Sequence, residues 1–260
     1  MRRFSAAYLS ATRDGMWADR DALSDLSLST CQSALDVGAG TGILTQVLRE
    51  ETPGQVVALD ADYTLLSTVP PPCVVGDATR LPVQSHSFEL VICQALLINL
   101  PDPASAVSEF VRATSDRVAA VEPDNSAVTV ESSVETEPTL AKKARNHYLR
   151  GTDVNPALGA VESLFADAGL QEIRVRRYDH VLTVEPPYTE QALESARRKA
   201  SGAGIESDRA TLRAAGLSAD AVDSLRTEWR EMGREVVRQM QTGEYWRRET
   251  IPFYVTSGRR

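Results

Sequence analysis

Three carboxylates, each closing an apolar run, are the residues in this chain whose type and spacing can act together chemically. Asp36 stands at the head of a glycine turn, Leu35-Asp36-Val37-Gly38-Ala39-Gly40-Thr41-Gly42, Asp60 ends VVALD, and Asp77 follows CVVG in GDATRLP. Glycine reaches backbone conformations closed to other residues, so such a turn brings main-chain atoms against a ligand. A carboxylate just ahead of it repels a pyrophosphate but suits a ligand carrying an ammonium and a sulfonium. Asp60, with Ala61 beside it, can accept hydrogen bonds from two ribose hydroxyls. Asp77 can accept from an adenine amino group while the amide of Ala78 meets a ring nitrogen. Each has an ordinary reading when taken singly: a tight loop, an N-cap, a turn residue. Their order on successive strand ends points instead to one crevice for a nucleoside.

The elements that must position these groups alternate between short apolar strands and helices, the pattern of a parallel sheet covered on both faces. Strands are expected at 33–37, 56–60, 73–76, 88–93 and 117–122. A helix over 43–51 carries Ile43, Leu44, Val47 and Leu48 at helical spacing, and Asp102-Pro103 opens another as N-cap and first-turn proline. Beyond 123 the rhythm changes. Glu131 to Pro138 reads as an acidic loop, 139–149 and 156–168 as helices, 171–184 as a strand and 251–258 as a last strand. Between Pro186 and Gly243 the chain is helical and charged. Its final helix is capped by Ser218 and striped with Val222, Leu225, Trp229, Met232, Val236 and Met240.

Two ligand chemistries use this strand–turn–helix geometry. Dinucleotides use GxGxxG, whereas S-adenosylmethionine (SAM) uses D/E-x-G-x-G-x-G, and the glycines here fall at 38, 40 and 42. LDVGAGTG, VVALDAD, GDATRLP and SFELVICQALLINLPDP match, in order, the Rossmann-like (class I) SAM-dependent methyltransferases. The chain resembles in particular the type 11 group that includes ubiquinone and menaquinone biosynthesis methyltransferases. The resemblance is specific over 33–122 and looser over 146–184, and the family's usual aspartate is replaced by Glu89. It implies an α/β fold with a seven-stranded sheet in order 3-2-1-4-5-7-6, the last strand antiparallel. It also implies an N-terminal helical cap over 1–30, a SAM-binding domain over 31–185 and 250–260, and a helical insertion over 186–249. Cofactor contacts are then expected from Asp36, Gly38, Ala39, Gly40, Asp60, Ala61, Asp77, Ala78 and Gln94. Tyr8 or Arg13 is expected to reach the methionine carboxylate from an N-terminal helix that also bears Trp17.

Methyl transfer from a sulfonium is an in-line displacement, so alignment and desolvation can supply much of the catalysis and no base is obligatory. The candidates for one are Glu122 at the end of strand five, His147 and His180. Tyr148, Tyr178, Tyr188 and Tyr254 can line an acceptor pocket, or serve as core. The expected acceptor is a small, partly apolar molecule under a lid drawn from the N-terminus, 124–160 and 186–249. Two alternatives stand beside it. One is methylation of protein or RNA at a basic surface that includes Arg145, Arg150 and Arg174, and the other is a SAM-binding regulator without catalysis.

Composition bounds these readings. A chain of 260 residues with 42% hydrophobic and 25% charged residues is a folded globular one. Its formal charge of −8 argues against a broad phosphate-binding face, so nucleic acid is not an expected partner. Cys31, Cys73 and Cys93 are odd in number and lack CxxC spacing, so neither a disulfide nor a metal site is expected, and Cys93 within FELVIC is expected to be buried and inert. A reducing cytoplasm fits, and no signal peptide or membrane span is expected.

Overall fold

The computed structural model describes residues 6–13, 15–152 and 161–260. In chain order the elements are α1 (Ala6–Arg13), β1 (Ser33–Val37), α2 (Ile43–Glu51), β2 (Gln55–Asp60), α3 (Tyr63–Leu66), β3 (Cys73–Val75), β4 (Phe88–Gln94), α4 (Pro103–Ala113), β5 (Thr114–Pro123), β6 (Thr129–Ser132), α5 (Glu137–Arg150), α6 (Glu162–Asp167), β7 (Gln171–Val184), α7 (Glu190–Ser201), α8 (Ala203–Ser207), α9 (Arg209–Ala214), α10 (Ala219–Thr242) and β8 (Arg247–Arg259). The strand order is β3-β2-β1-β4-β5-β8-β6, with β7 also pairing β8. Strands β1 to β5 run parallel and β8 runs antiparallel to β5.

The expected order is therefore found, with one strand added. Residues 129–132, the last two of which fall in the expected acidic loop, form β6, which pairs with Arg247–Thr250 at the start of β8. Three of its four residues, Thr129, Glu131 and Ser132, are polar, a composition that carries little signal until a partner strand supplies its hydrogen bonds. The final strand is longer than expected for the same reason. The helix expected over 156–168 is described only as α6, because 153–160 lie outside the described residues.

Two compact units divide the chain. One comprises 1–124, 154–179 and 252–260, and the other 125–153 and 180–251, so the second takes in the 125–153 segment as well as the stretch expected as an insertion. The first unit's core lies between the sheet and its helices, with Leu35, Val37, Val91, Val107 and Phe110 all fully or almost fully buried. Leu35, Val37 and Val91 lie on parallel strands, which are covered on both faces and so read as near-continuous apolar runs, and Val107 and Phe110 lie on α4. Asp102 caps α4 by accepting from the Ser105 amide at 3.1 Å, as Asp102-Pro103 predicts.

The second unit packs its helices around Val134, Leu212, Leu225, Met232 and Val236. Gly233 sets how closely α10 meets α7: a Cβ there would stand 2.3 Å from the amide nitrogen of Ala200. Ser218 caps α10 through the Ala221 amide at 3.1 Å. Beneath these helices Glu137 is buried and accepts from Ser132 Oγ at 2.7 Å and Tyr245 OH at 2.9 Å, with Lys199 as its ion-pair partner. A buried carboxylate requires such a complete set of donors. No described helix is long and apolar enough to cross a membrane.

Candidate functional site

Because β1 to β5 are parallel, their carboxyl ends lie along one edge, and the first unit gathers its acids there. Val37 is in register with Leu59 on one side and Cys93 on the other. Immediately after β1 the chain turns through Gly38, Gly40 and Gly42, with φ of 73°, 56° and 80°, in the left-handed region that glycine tolerates. Close packing reinforces the requirement. A Cβ on Gly38 would fall 2.8 Å from Leu96 Cδ1, and one on Gly40 would fall 3.1 Å from Leu9 Cδ1 and 3.8 Å from an Arg13 nitrogen.

The carboxylates divide into two kinds. Asp36 is 1% exposed; its Oδ2 accepts from the Thr45 hydroxyl at 2.6 Å, and its Oδ1 is buried with no hydrogen-bond partner among the described residues. Burial pushes its pKa to about 6, against the pull of the Thr45 hydrogen bond and the nearby Arg13. Such an oxygen is costly to leave unmatched and calls for a donor or a cation. Asp60 is half-buried and braces the turn: Oδ2 accepts from the Gly40 amide at 2.7 Å and Oδ1 from the Asp62 amide at 2.8 Å. The helix that follows is capped by Asp62 rather than Asp60. Asp77 is exposed. Its Oδ1 takes both the amide and hydroxyl of Thr79 at 2.8 Å, which lower its pKa, and the Asp77 side chain stands next to the buried Ala78.

At the ends of β4 and β5 the polar groups look inward. Glu122 is fully buried; Oε1 accepts from the amides of Leu96 and Leu97 at 3.0 and 2.8 Å, and Oε2 from Ile98 at 3.3 Å. Burial raises its pKa to about 7 in spite of these bonds. The Cys93 thiol lies 3.7 Å from the same carboxylate, and burial followed by that charge pushes its pKa well up. Cys93 is thus enclosed, as its place in FELVIC suggests. Ala95 takes a left-handed φ of 49° as the chain leaves β4. Gln94 is buried and contacts the segment after α1, donating to Met16 Sδ and accepting from Trp17 Nε1 at 3.4 Å.

The helix expected to carry Tyr8, Arg13 and Trp17 together stops at Arg13, before Gly15 at φ 66°. Trp17 lies beyond it, stacked on Tyr178 at 5.9 Å between ring centroids, and Tyr178 OH donates to the Met16 carbonyl. The side chain of Tyr8 lies outside the described residues, whereas Arg13 is brought beside Gly40. His147 and His180 both belong to the second unit. His147 contacts Arg150 at 2.8 Å, and burial together with Arg150 and Lys143 lowers its pKa; His180 is 2% exposed. Of the tyrosines, Tyr188 donates to the Tyr245 carbonyl within that second unit.

Two groups escaped sequence reading. Thr41, inside the turn, has a buried hydroxyl oxygen with no hydrogen-bond partner among the described residues. Its place between two glycines was the available signal. Met16 is fully buried against Gln94, and no local pattern marks it.

Comparison with known proteins rests on this same stretch: residues 35–120 match a family model described as a methyltransferase domain. Over these residues the chain carries a methyltransferase domain, similar to those of the class I SAM-dependent enzymes. It is 28% identical over 163 residues to a demethylmenaquinone methyltransferase of Oceanobacillus iheyensis, covering 58% of this chain and 64% of that one. A protein of the same description from Mycolicibacterium vanbaalenii is 30% identical over 165 residues, covering 62% of this chain and 66% of that one. The chain thus spans just under two thirds of the length of these curated relatives. Among solved structures, the YcgJ protein of Bacillus subtilis has a TM-score of 0.51 at 15% identity, covering 93% of this chain and 99% of that one, a likeness of fold. SAM is the cofactor of this methyltransferase class. The turn fits it: the orphaned Oδ1 of Asp36 is a place for a cationic group, and the glycines let the backbone turn in the left-handed region while packed closely against Leu9 and Leu96.

Proposed function

We propose that this chain transfers a methyl group from SAM to a small, partly apolar acceptor. The observation that carries the reading is Asp36, a buried carboxylate with one unmatched oxygen ahead of a glycine turn. Asp36 opposes the cationic end of the cofactor, with Arg13 facing its carboxylate. The backbone of 38–40 lies against it. Asp60 already holds the turn through Gly40 and offers its remaining lone pairs to the ribose hydroxyls, with Ala61 adjacent. Asp77, whose Oδ2 takes no hydrogen bond from described residues, meets the adenine amino group beside the Ala78 amide.

What the cofactor supplies when bound is a methyl group on a cationic sulfur, open to in-line displacement. The chain's own work is alignment and exclusion of water. Gln94 ties the Met16–Trp17 segment over the end of β4, and Glu122 fixes the backbone of 96–98. With its oxygens facing three amides and no exposure, Glu122 is better suited to holding this loop than to taking a proton from an acceptor. His147 and His180 remain the candidates where an acceptor needs a base. The reading extends to the domain roles, with the N-terminal segment as cap and 186–249 as lid, and to a reducing cytoplasm as the setting for three thiols.

The activity for which these relatives are named makes a demethylated quinone ring the first acceptor to try, and such a ring is small and largely apolar. The test is incubation of the purified chain with methyl-labelled SAM and a short-chain demethylmenaquinone, alongside calorimetric titration with S-adenosylhomocysteine and NAD. A labelled, methylated ring and binding of the homocysteine compound alone are expected. Binding of NAD without S-adenosylhomocysteine would overturn the cofactor reading. Binding without transfer to this ring or to any compound of a metabolite extract would leave a SAM-binding regulator.

A further inference from the structure

At the opposite edge of the first unit's sheet lies a cavity of about 350 Å³. Arg117 near the start of β5, Arg174 on β7 and Arg259 at the end of β8 converge on it, with Asp25, Glu172 and Ser27 also in its wall. Arg117 and Glu122 lie five residues apart on β5, so this cavity is about 16 Å from the crevice of the proposed cofactor, given the rise of a strand. Its size falls at the small end of ligand pockets, and its wall is polar where most pockets are apolar.

The charges are arranged so that the arginines retain hydrogen-bonding capacity. Asp25 faces its neighbours: its carboxylate stands 3.5 Å from Arg174 and 3.2 Å from Arg176, and its carbonyl accepts from Arg117. Arg176 is further paired with Asp21 at 3.1 Å. Arg259 meets Asp116 and Glu172 only at 3.7 and 3.8 Å, beyond hydrogen-bond length. A guanidinium has five N–H donors in a planar fork matched to carboxylate and phosphate oxygens. Most of these donors on Arg174 and Arg259 are left for water or a ligand.

The backbone gives a second, separate indication. Ser27 and Glu172, both in the wall, have φ of 56° and 50°. Non-glycine residues held in the left-handed region cost energy and cluster at ligand sites. Two such residues face one cavity, with three arginines in its wall, in a chain whose overall charge is −8.

We propose that this basin binds a small oxyanion, its phosphate or carboxylate group held by Arg117, Arg174 and Arg259 and a hydroxyl on the same molecule donating to Glu172. The site is independent of the cofactor crevice. Calorimetric titration of the full chain at low ionic strength with inorganic phosphate, and separately with citrate, tests it. At least one of the two should bind with a Kd of about 1 mM or tighter. Arg174→Ala and Arg259→Ala, both at exposed positions, should each weaken that binding about tenfold. Glu172→Gln should strengthen it by removing a like charge. S-adenosylhomocysteine affinity should be unchanged in all three, which separates failure of this site from failure of the cofactor reading. Phosphate alone would mark a phosphate ester and citrate alone a carboxylate. No binding of either anion, or binding that both arginine variants leave intact, would overturn the proposal.

Discussion

Among single residues, Asp60 and Asp36 do different work with the same functional group. Asp60 is half-buried and already satisfied by two amides, so its contribution to a ligand is added hydrogen bonds rather than relief of an orphan. Asp60→Ala should weaken S-adenosylhomocysteine binding by about 1 to 3 kcal/mol, the range for charge-assisted bonds, as read by calorimetry. Asp36 instead sets a pH dependence. Asp36 at about 6 and Glu122 at about 7 retain protons in the folded chain that an unfolded carboxyl loses near pH 4. The folded state then binds more protons across this window, so these groups make stability fall as pH rises from about 4 to about 7. In urea unfolding at pH 5 and pH 7.5, Asp36→Asn should remove about 1 kcal/mol of that fall. The same substitution should flatten a rise in SAM affinity as pH passes through about 6.

The elements show how a strand end becomes a site. The three amides after β4 would be unsatisfied in this buried place, and Glu122, carried in from β5, accepts all three. Leu96 is thereby set against Gly38, so the carboxylate on one strand shapes the glycine turn after another. Glu122→Ala should cost about 3 kcal/mol in urea unfolding, from orphaned amides as well as lost bonds, with Glu122→Gln costing less. The element ends show which parts of this were legible. Asp102-Pro103 and Ser218 announce helix starts because a cap is a local interaction within a few residues. β6 stayed hidden because its hydrogen bonds come from β8, more than a hundred residues along the chain.

For the whole molecule, the two compact units have separate cores and separate vulnerabilities. Every residue proposed to hold the cofactor belongs to the first. Gly233 belongs to the second, where only a residue without a side chain lets α10 approach α7. Gly233→Val should therefore lower thermal stability, by about 2 kcal/mol or more for an overpacked helix contact. S-adenosylhomocysteine affinity, measured below the unfolding temperature, should stay near wild type. Methyl transfer should fall if the lid role proposed for 186–249 is right, and a variant equally active at low temperature would count against it.

The order of strands and helices, the glycine turn and the three acids at successive strand ends were written in the sequence. They depend on local periodicity, on turn chemistry and on the fact that parallel strands bring their carboxyl ends to one edge. Only the tertiary structure decided which acids keep a free lone pair and which are already matched. Asp36 and Glu122 look alike in sequence, each a carboxylate at a strand end. One has an unmatched oxygen and the other faces three amides, a difference made by residues far away in the chain that pack beside them. The arginine basin is the fullest case: Arg117, Arg174 and Arg259 share no motif, and only the pairing of β5, β7 and β8 makes them neighbours.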